Sequence, residues 1–491
     1  MRQVLFCITR FLIGCICLNG QSFLGYNSSL YAGVNAASYN PATVADNVYS
    51  TDILAAGLSF SVANDYVGLE RAGFLYKRIR YAQVHYREND RKKSAFGRAE
   101  ILFPGIMVSR ENSGWAVDAK FRNYFNMEGV DEVLAHAFIT GFRDPADYIS
   151  GQFAKHIGVT QLSWLELGAA FARTWPMEVG NYLSVGVRPK LLLGLSAGYI
   201  FVNTTGYQIL NDSTMVISEG QASYAHSDNF IFAPSYDPDF RLRFNPGLGA
   251  DLGFVYEYRP ADLQPKDPKD ESRCGYNKRK VYKYRLAVSI LDMGMIRFKK
   301  GKYSSGHTLS ASQWNIKHQP FDSTAPGDLY RNFGLHETGK NAGEIFWMRT
   351  PLTFNAYYDY LIRDHYFINV QTFAALYKRS SDAKKVNELT RISITGRWEN
   401  EKFGVWLPVS YTRMRTLSLG FGFRIGPLII GTDDILNLAI GRKAAYNQDF
   451  YLDLKFPFTS VCKARANKKE KKAPLIDKCT DLNDNEGESV E

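Results

Sequence analysis

The 491-residue chain sets 59 Lys and Arg against 49 Asp and Glu, for a formal net charge of +10, and holds 30 Tyr, 32 Phe, 7 Trp and 40 Gly. A mean hydropathy of −0.25 is too low for a bundle of membrane helices. The positive charge is scattered apart from one concentration at Lys463–Lys472, so it does not point to nucleic acid.

The N-terminus reads as an export signal. Arg2 and Arg10 flank the start, Phe11–Leu18 is a short apolar stretch, and cleavage is expected after Gly20. Leu12-Ile13-Gly14-Cys15 also fits a lipidation signal, which would make Cys15 the first mature residue, and both readings stand. Residues 21–50 follow as a small, polar segment in which Asn40-Pro41 bars a helix.

From residue 51 a period of two recurs. Trp115, Val117, Ala119 and Phe121 alternate with Asp118, Lys120 and Arg122. Leu248 to Tyr258 alternate with Asp251 and Glu257, and Leu352 to Ile362 with Asp359. Leu417 to Ile425 alternate with Arg424, and Phe450 to Phe458 with Asp453 and Lys455. Arg188 and Arg397 fall on polar faces of the same kind. Such runs are about ten residues long, the length of a tilted strand across a bilayer, whereas soluble strands average about five or six. With no long apolar helix, a closed barrel is the remaining way to satisfy the backbone in lipid. The fold class expected is all-β, a transmembrane antiparallel β-barrel of about fourteen strands spanning residues 51–458. Its apolar faces meet outer-membrane lipid, and Asp118, Lys120, Arg122, Arg188, Asp251, Asp359 and Arg424 face the lumen. Tyr256, Tyr258, Tyr451 and Phe458 suit interfacial girdles.

Between strands, Asn112-Ser113-Gly114 and Glu399-Asn400-Glu401 read as tight turns. Asn203 to Phe240, Gln264 to Lys280 and Lys302 to Asn341 read as long external loops. Val130–Phe142 has helical spacing and is expected to cap the barrel or lie at the interface. Residues 459–491 form a charged, periplasmic tail with few core-forming residues. Within it Cys462 and Cys479 are the candidate disulfide pair, with Cys274 left over. The eight histidines form no HExxH motif, and there is no GxSxG elbow and no P-loop. No catalytic residue, metal site or cofactor is expected.

Several segments together resemble a family of outer-membrane barrels typical of Bacteroidota, of unknown function and related to the FadL and PorV types. They are Ala37–Ala42, Leu183–Ile200, Ala287–Phe298, and Gly426–Leu438 with the closing strand to Phe458. The resemblance implies that Gly33–Asp46 folds into the lumen as a hatch, with Asn40, Pro41 and Ala42 setting its turn. A barrel of about fourteen strands is too wide for side chains alone to fill, which agrees. The bland alternative is a periplasmic turn leading into the first strand. Pro189 departs from the family's regular strand and is the candidate kink, by analogy a lateral opening. Two functions follow from the resemblance: uptake of a hydrophobic or amphipathic small molecule, or a PorV-like scaffold that binds exported or envelope proteins.

Overall fold

The computed structural model describes residues 23–458 apart from 70–83, 90, 111, 233–237, 241, 264–280, 302–303, 316–335, 338–343, 379–381, 383 and 436–444. The export signal, Cys15, Cys274, Cys462, Cys479 and the tail lie outside the described residues. Fourteen antiparallel staves form a ring. In chain order they are β1 (Thr51–Asn64), β2 (Lys93–Leu102 continued by Gly105–Ser109), β3 (Ser113–Val130), β4 (Ile149–Pro176) and β5 (Asn181–Asn211). Next come β6 (Asn245–Tyr258), β7 (Tyr284–Lys299), β8 (Ile345–Arg349 with Thr353–Arg363), β9 (Tyr366–Ala375) and β10 (Arg391–Glu399). The last are β11 (Phe403–Thr412), β12 (Leu417–Leu419 with Phe421–Ile425), β13 (Leu428–Thr432) and β14 (Asn447–Phe458). The ring closes where β14 pairs with β1, from Thr51 opposite Phe458 to Ala63 opposite Asn447.

Alternation sorts the side chains between two environments, because successive residues of a strand point to opposite faces. In β10, Arg391, Ser393, Thr395, Arg397 and Glu399 are buried inside, while Ile392 and Ile394 stand outside at 51 % and 53 % exposure. Leu248, Phe254, Leu286, Met295, Leu407 and Val409 carry the same outward apolar face around the ring. This inverts a soluble protein: the belt is greasy and the inside is charged. No helix among the described residues is long and apolar enough to cross a membrane.

One end carries tight turns. Arg110 donates to the Ser113 carbonyl at 2.7 Å, and Asn400 to the Phe403 carbonyl at 2.8 Å. The chain enters β1 at this end, called here the plug end. Gln264–Lys280 lies outside the described residues, but its flanks Tyr258 and Tyr284 sit opposite Asn181 and Tyr360 at the plug end.

At the opposite end β4 and β5 overshoot, with 28 and 31 residues where about ten span a bilayer. Asn203–Phe240 is therefore not simply a loop: β5 runs on to Asn211, turns, and returns as strand Thr214–His226. Polar side chains disguised this region, yet Thr204, Thr205, Tyr207 and Ile209 are good strand formers. Strand Ser305–Asn315, inside the expected loop Lys302–Asn341, pairs with it. Helix α1 (Glu132–Thr140) ends at Gly141 in the left-handed region and buries Leu134, Ala135 and Ala137 against this arm with Tyr207, Ile209 and Met215.

Leu252, mid-way along β6, faces outward beside Val187 and Ile290. Leu252→Arg is expected to cost about 2–4 kcal/mol if that face meets the bilayer midplane. The yield of a heat-modifiable folded band on unboiled gels should fall, whereas Val179→Arg, in the exposed turn between β4 and β5, should leave it unchanged.

Candidate functional site: a filled lumen

Residues 23–50 lie inside the ring at the plug end. Two short 3₁₀ helices, Gly33–Ser38 and Pro41–Val44, shape this plug. Asn40 caps the second, its Oδ1 accepting from the Ala42 amide at 3.0 Å, and Pro41 follows at the first helical position, where its missing N–H costs nothing. The Asn40 amide donates to the Phe254 and Val288 carbonyls of the wall at 3.0 and 3.2 Å.

This turn sits in a hollow made by two glycines. Gly186 of β5 and Gly253 of β6 face each other across the ladder. A Cβ at Gly186 would fall 2.4 Å from the Ala42 nitrogen, and one at Gly253 would fall 2.1 Å from Asn40 Oδ1. Any side chain there would displace the turn. The wall thus offers a recess the size of the Asn40-Pro41-Ala42 turn, which no chemical motif in the sequence announced; glycine inside a strand pattern is the available signal.

Polar contacts hold the rest of the plug. Lys455 donates to the Tyr31 and Ala32 carbonyls at 2.7 and 2.9 Å and to Asp52 at 2.9 Å. Asp52 accepts from the Val34 amide at 2.9 Å, and Asp453 from Asn35 at 2.6 Å. Glu399 receives the Leu30 amide at 3.2 Å and the Ser29 hydroxyl, and Arg397 reaches the Gly25 carbonyl at 3.2 Å. Arg259 pairs with Asp46 at 2.5 Å. Tyr26 stacks on Trp406, with ring centroids 5.2 Å apart. Burial pushes the phenols of Tyr26 and Tyr39 up, so they remain neutral fillers.

Above the plug runs a belt of ion pairs, into which the structure gathers five of the seven polar candidates. Arg188 pairs with Glu166 at 2.8 Å, with Asp251 at 3.0 Å, and with Asp118. Arg122 bonds Glu100 at 2.8 Å, Glu166 at 3.0 Å and Asp292 at 2.7 Å. Lys120 lies 3.5 Å from Glu166, and Lys190 bridges Asp251 and Asp292 at 2.6 Å each. Glu100, Glu166, Lys190 and Asp292 escaped the sequence reading. Glu166 was findable, since Trp164 and Glu166 alternate with Leu165 and Leu167. Asp359 and Arg424 lie elsewhere, at the plug end. Asp359 accepts from Arg397 at 2.7 Å, and Arg424 donates to the Glu401 carbonyl at 2.9 Å beneath the Tyr31 ring.

Two expectations change. Tyr451 is no girdle residue: it is buried inside, accepting from Trp406 at 2.6 Å against Phe23, because it shares parity with Asp449 and Asp453. Pro189 makes no bulge. It faces outward opposite Ala250, and the β4–β5 register is the same at Gly168–Lys190 and Phe171–Val187 on either side. A bulge stands instead on β7 at Leu291–Asp292, where Asp292 has φ +58° and is turned into the ion belt.

Beyond the belt, Phe96, Tyr124, Leu162, Trp164, Phe298 and Phe346 form an apolar layer with Val386 and Leu389 of the β9–β10 connection. Two cavities, one beside Asp46 and Arg259 and one between Tyr39, Glu100 and Lys120, measure about 20 Å³ each, room for roughly one water.

A model of a family of unknown function (DUF5723) matches residues 41–433, well over half of the chain. The chain belongs to this family. No curated protein matches it. Among solved structures it is similar to the toluene transporter TbuX of Ralstonia pickettii, at 9 % identity and a TM-score of 0.38 over 87 % of this chain and 94 % of that one. A FadL homologue of Pseudomonas aeruginosa matches at 11 % and 0.38 over 90 % and 99 %, and a TodX deltaS2S3 mutant, a monoaromatic hydrocarbon channel, at 10 % and 0.40 over 88 % and 95 %. At such scores nothing passes from those channels to this chain.

Arg188→Met removes the shared partner of Asp118, Glu166 and Asp251. It is expected to destabilise the barrel by about 3–5 kcal/mol in urea unfolding, because it leaves buried charge uncompensated. Gly253→Val and Asn40→Ala should each make the plug cleavable by protease in a barrel that still shifts on boiling.

Proposed function

We propose that the protein is an outer-membrane barrel, exported by its N-terminal signal, that takes up a hydrophobic or amphipathic small molecule when the plug moves as a hatch. One observation carries this: the plug occupies its end of the lumen without joining any wall ladder. Side-chain hydrogen bonds, ion pairs and the Gly186–Gly253 recess hold it, so it can leave without unzipping a strand. The outward apolar belt supports membrane residence, and the two cavities that touch the plug each have room for roughly one water, which favours a plug that moves.

A second reading is a scaffold for exported or envelope proteins. It is favoured by the arm built from β4, β5 and Thr214–His226, which extends well past bilayer length.

Liposomes holding the purified barrel discriminate the two. Asn40→Ala and Gly253→Val should raise solute entry severalfold over the unaltered protein. If neither does while both plugs are protease-sensitive, the uptake reading fails and the scaffold stands.

A further inference from the structure

The two sides of the lumen wall differ in how their polar groups are satisfied. On β3 to β7 the inward charges are matched in ion pairs at 2.6–3.6 Å, and no side-chain atom of Arg122, Glu166, Arg188, Lys190 or Asp251 is among the buried unpartnered ones. On β9, β10 and β11 the pattern reverses. Both amide atoms of Asn369, Oε1 of Gln371, Oγ of Ser393 and the hydroxyls of Thr395 and Thr412 are buried with no hydrogen-bond partner within the chain.

These groups are contiguous. Asn369 stands opposite Thr395, Gln371 opposite Ser393, and Ser393 opposite Ser410. Arg397 bounds the patch at the plug end, held by Asp359 and Glu399 at 2.7 and 3.1 Å. Arg391 bounds it at the arm end, 3.6 Å from Asp433. Between them the inward side chains of these strands carry no charge. The plug lies against the patch: a Cβ on Gly25 would fall 2.5 Å from the Thr395 methyl, and the Tyr39 ring meets Phe373 edge-on at 6.2 Å.

Buried donors and acceptors are ordinarily paired, and leaving them unpaired is unfavourable. A cluster of them on one sector, beneath a movable plug, gains partners when the plug withdraws. We infer that the route through the barrel runs along β9, β10 and β11, and that it is a track for uncharged hydrogen-bonding groups. The cargo is then an amphipathic molecule with a hydroxyl- or amide-bearing head. An ion would meet no countercharge along this track, and a wholly apolar molecule would leave the same atoms unpaired. The inference rests on the uptake reading and narrows its substrate class.

The test uses the full mature barrel with Cys274, Cys462 and Cys479 replaced by Ser and the plug loosened by Asn40→Ala, in liposomes. Swelling is followed in sorbitol and in gluconate, a polyol and its anionic counterpart of similar size. Ser393→Cys, Thr395→Cys or Thr174→Cys, the last inward and buried on β4 of the opposite wall, is then modified with a hydrophilic methanethiosulfonate. Sorbitol should enter faster than gluconate, and most of its flux should be lost on modification at 393 or 395 but not at 174. Entry of gluconate as fast as sorbitol, or block from 174 alone, overturns the track while leaving uptake intact. No entry of either solute overturns uptake itself.

Discussion

The antiparallel ladder between β14 and β1 turns a sheet into a ring, and that closure decides what every other residue must do. In hydrocarbon no water satisfies a stray N–H or C=O, so a sheet survives only without edges. Once closed, the ring has one face toward lipid and one toward a lumen. The period of two assigns apolar residues to the first and polar ones to the second along each stave. Pro189 is tolerated within this scheme because it stands on the lipid face in unbroken register with β6.

Fourteen staves create a second problem, an interior wider than side chains alone can fill. The chain fills it in three layers: the plug, the ion belt and the aromatic layer. Their chemistry differs with their role. The belt is a dense network centred on Arg188, Arg122 and Glu166, in which removing one member strands several others. The plug meets the wall through individually modest contacts and a shape match at Gly186 and Gly253. The fixed layer and the separable layer therefore lie side by side in one lumen.

The barrel was legible because its signal is repetitive: Asp251 between Leu252 and Ala250, or Asp359 between Tyr358 and Tyr360, states its face by parity alone. Parity says nothing about partners. That Asp118, Arg188 and Asp251 meet depends on register across four strands, β3 to β6, and the sequence contains no register. Asp292 was hidden further, since the bulge that turns it inward breaks the alternation by which it would be found. Tyr451 was misplaced because aromatic residues suit both the girdle and a packed lumen. The arm was missed because Thr, Asn and Gln make a strand outside the membrane resemble a loop. Asn40-Pro41-Ala42 was visible as a turn, but its receptor is two glycines that carry no chemistry of their own.

The central claim is that residues 23–49 are packed inside the closed ring. Hydrogen–deuterium exchange of the mature barrel in lipid nanodiscs, read on peptides covering Leu30, Val34 and Ala42, tests it most directly. Those amides bond to Glu399, Asp52 and Asn40 in a buried setting, so they should exchange as slowly as amides of β14. Exchange at the rate of an unstructured peptide would place the segment outside the ring and contradict the account.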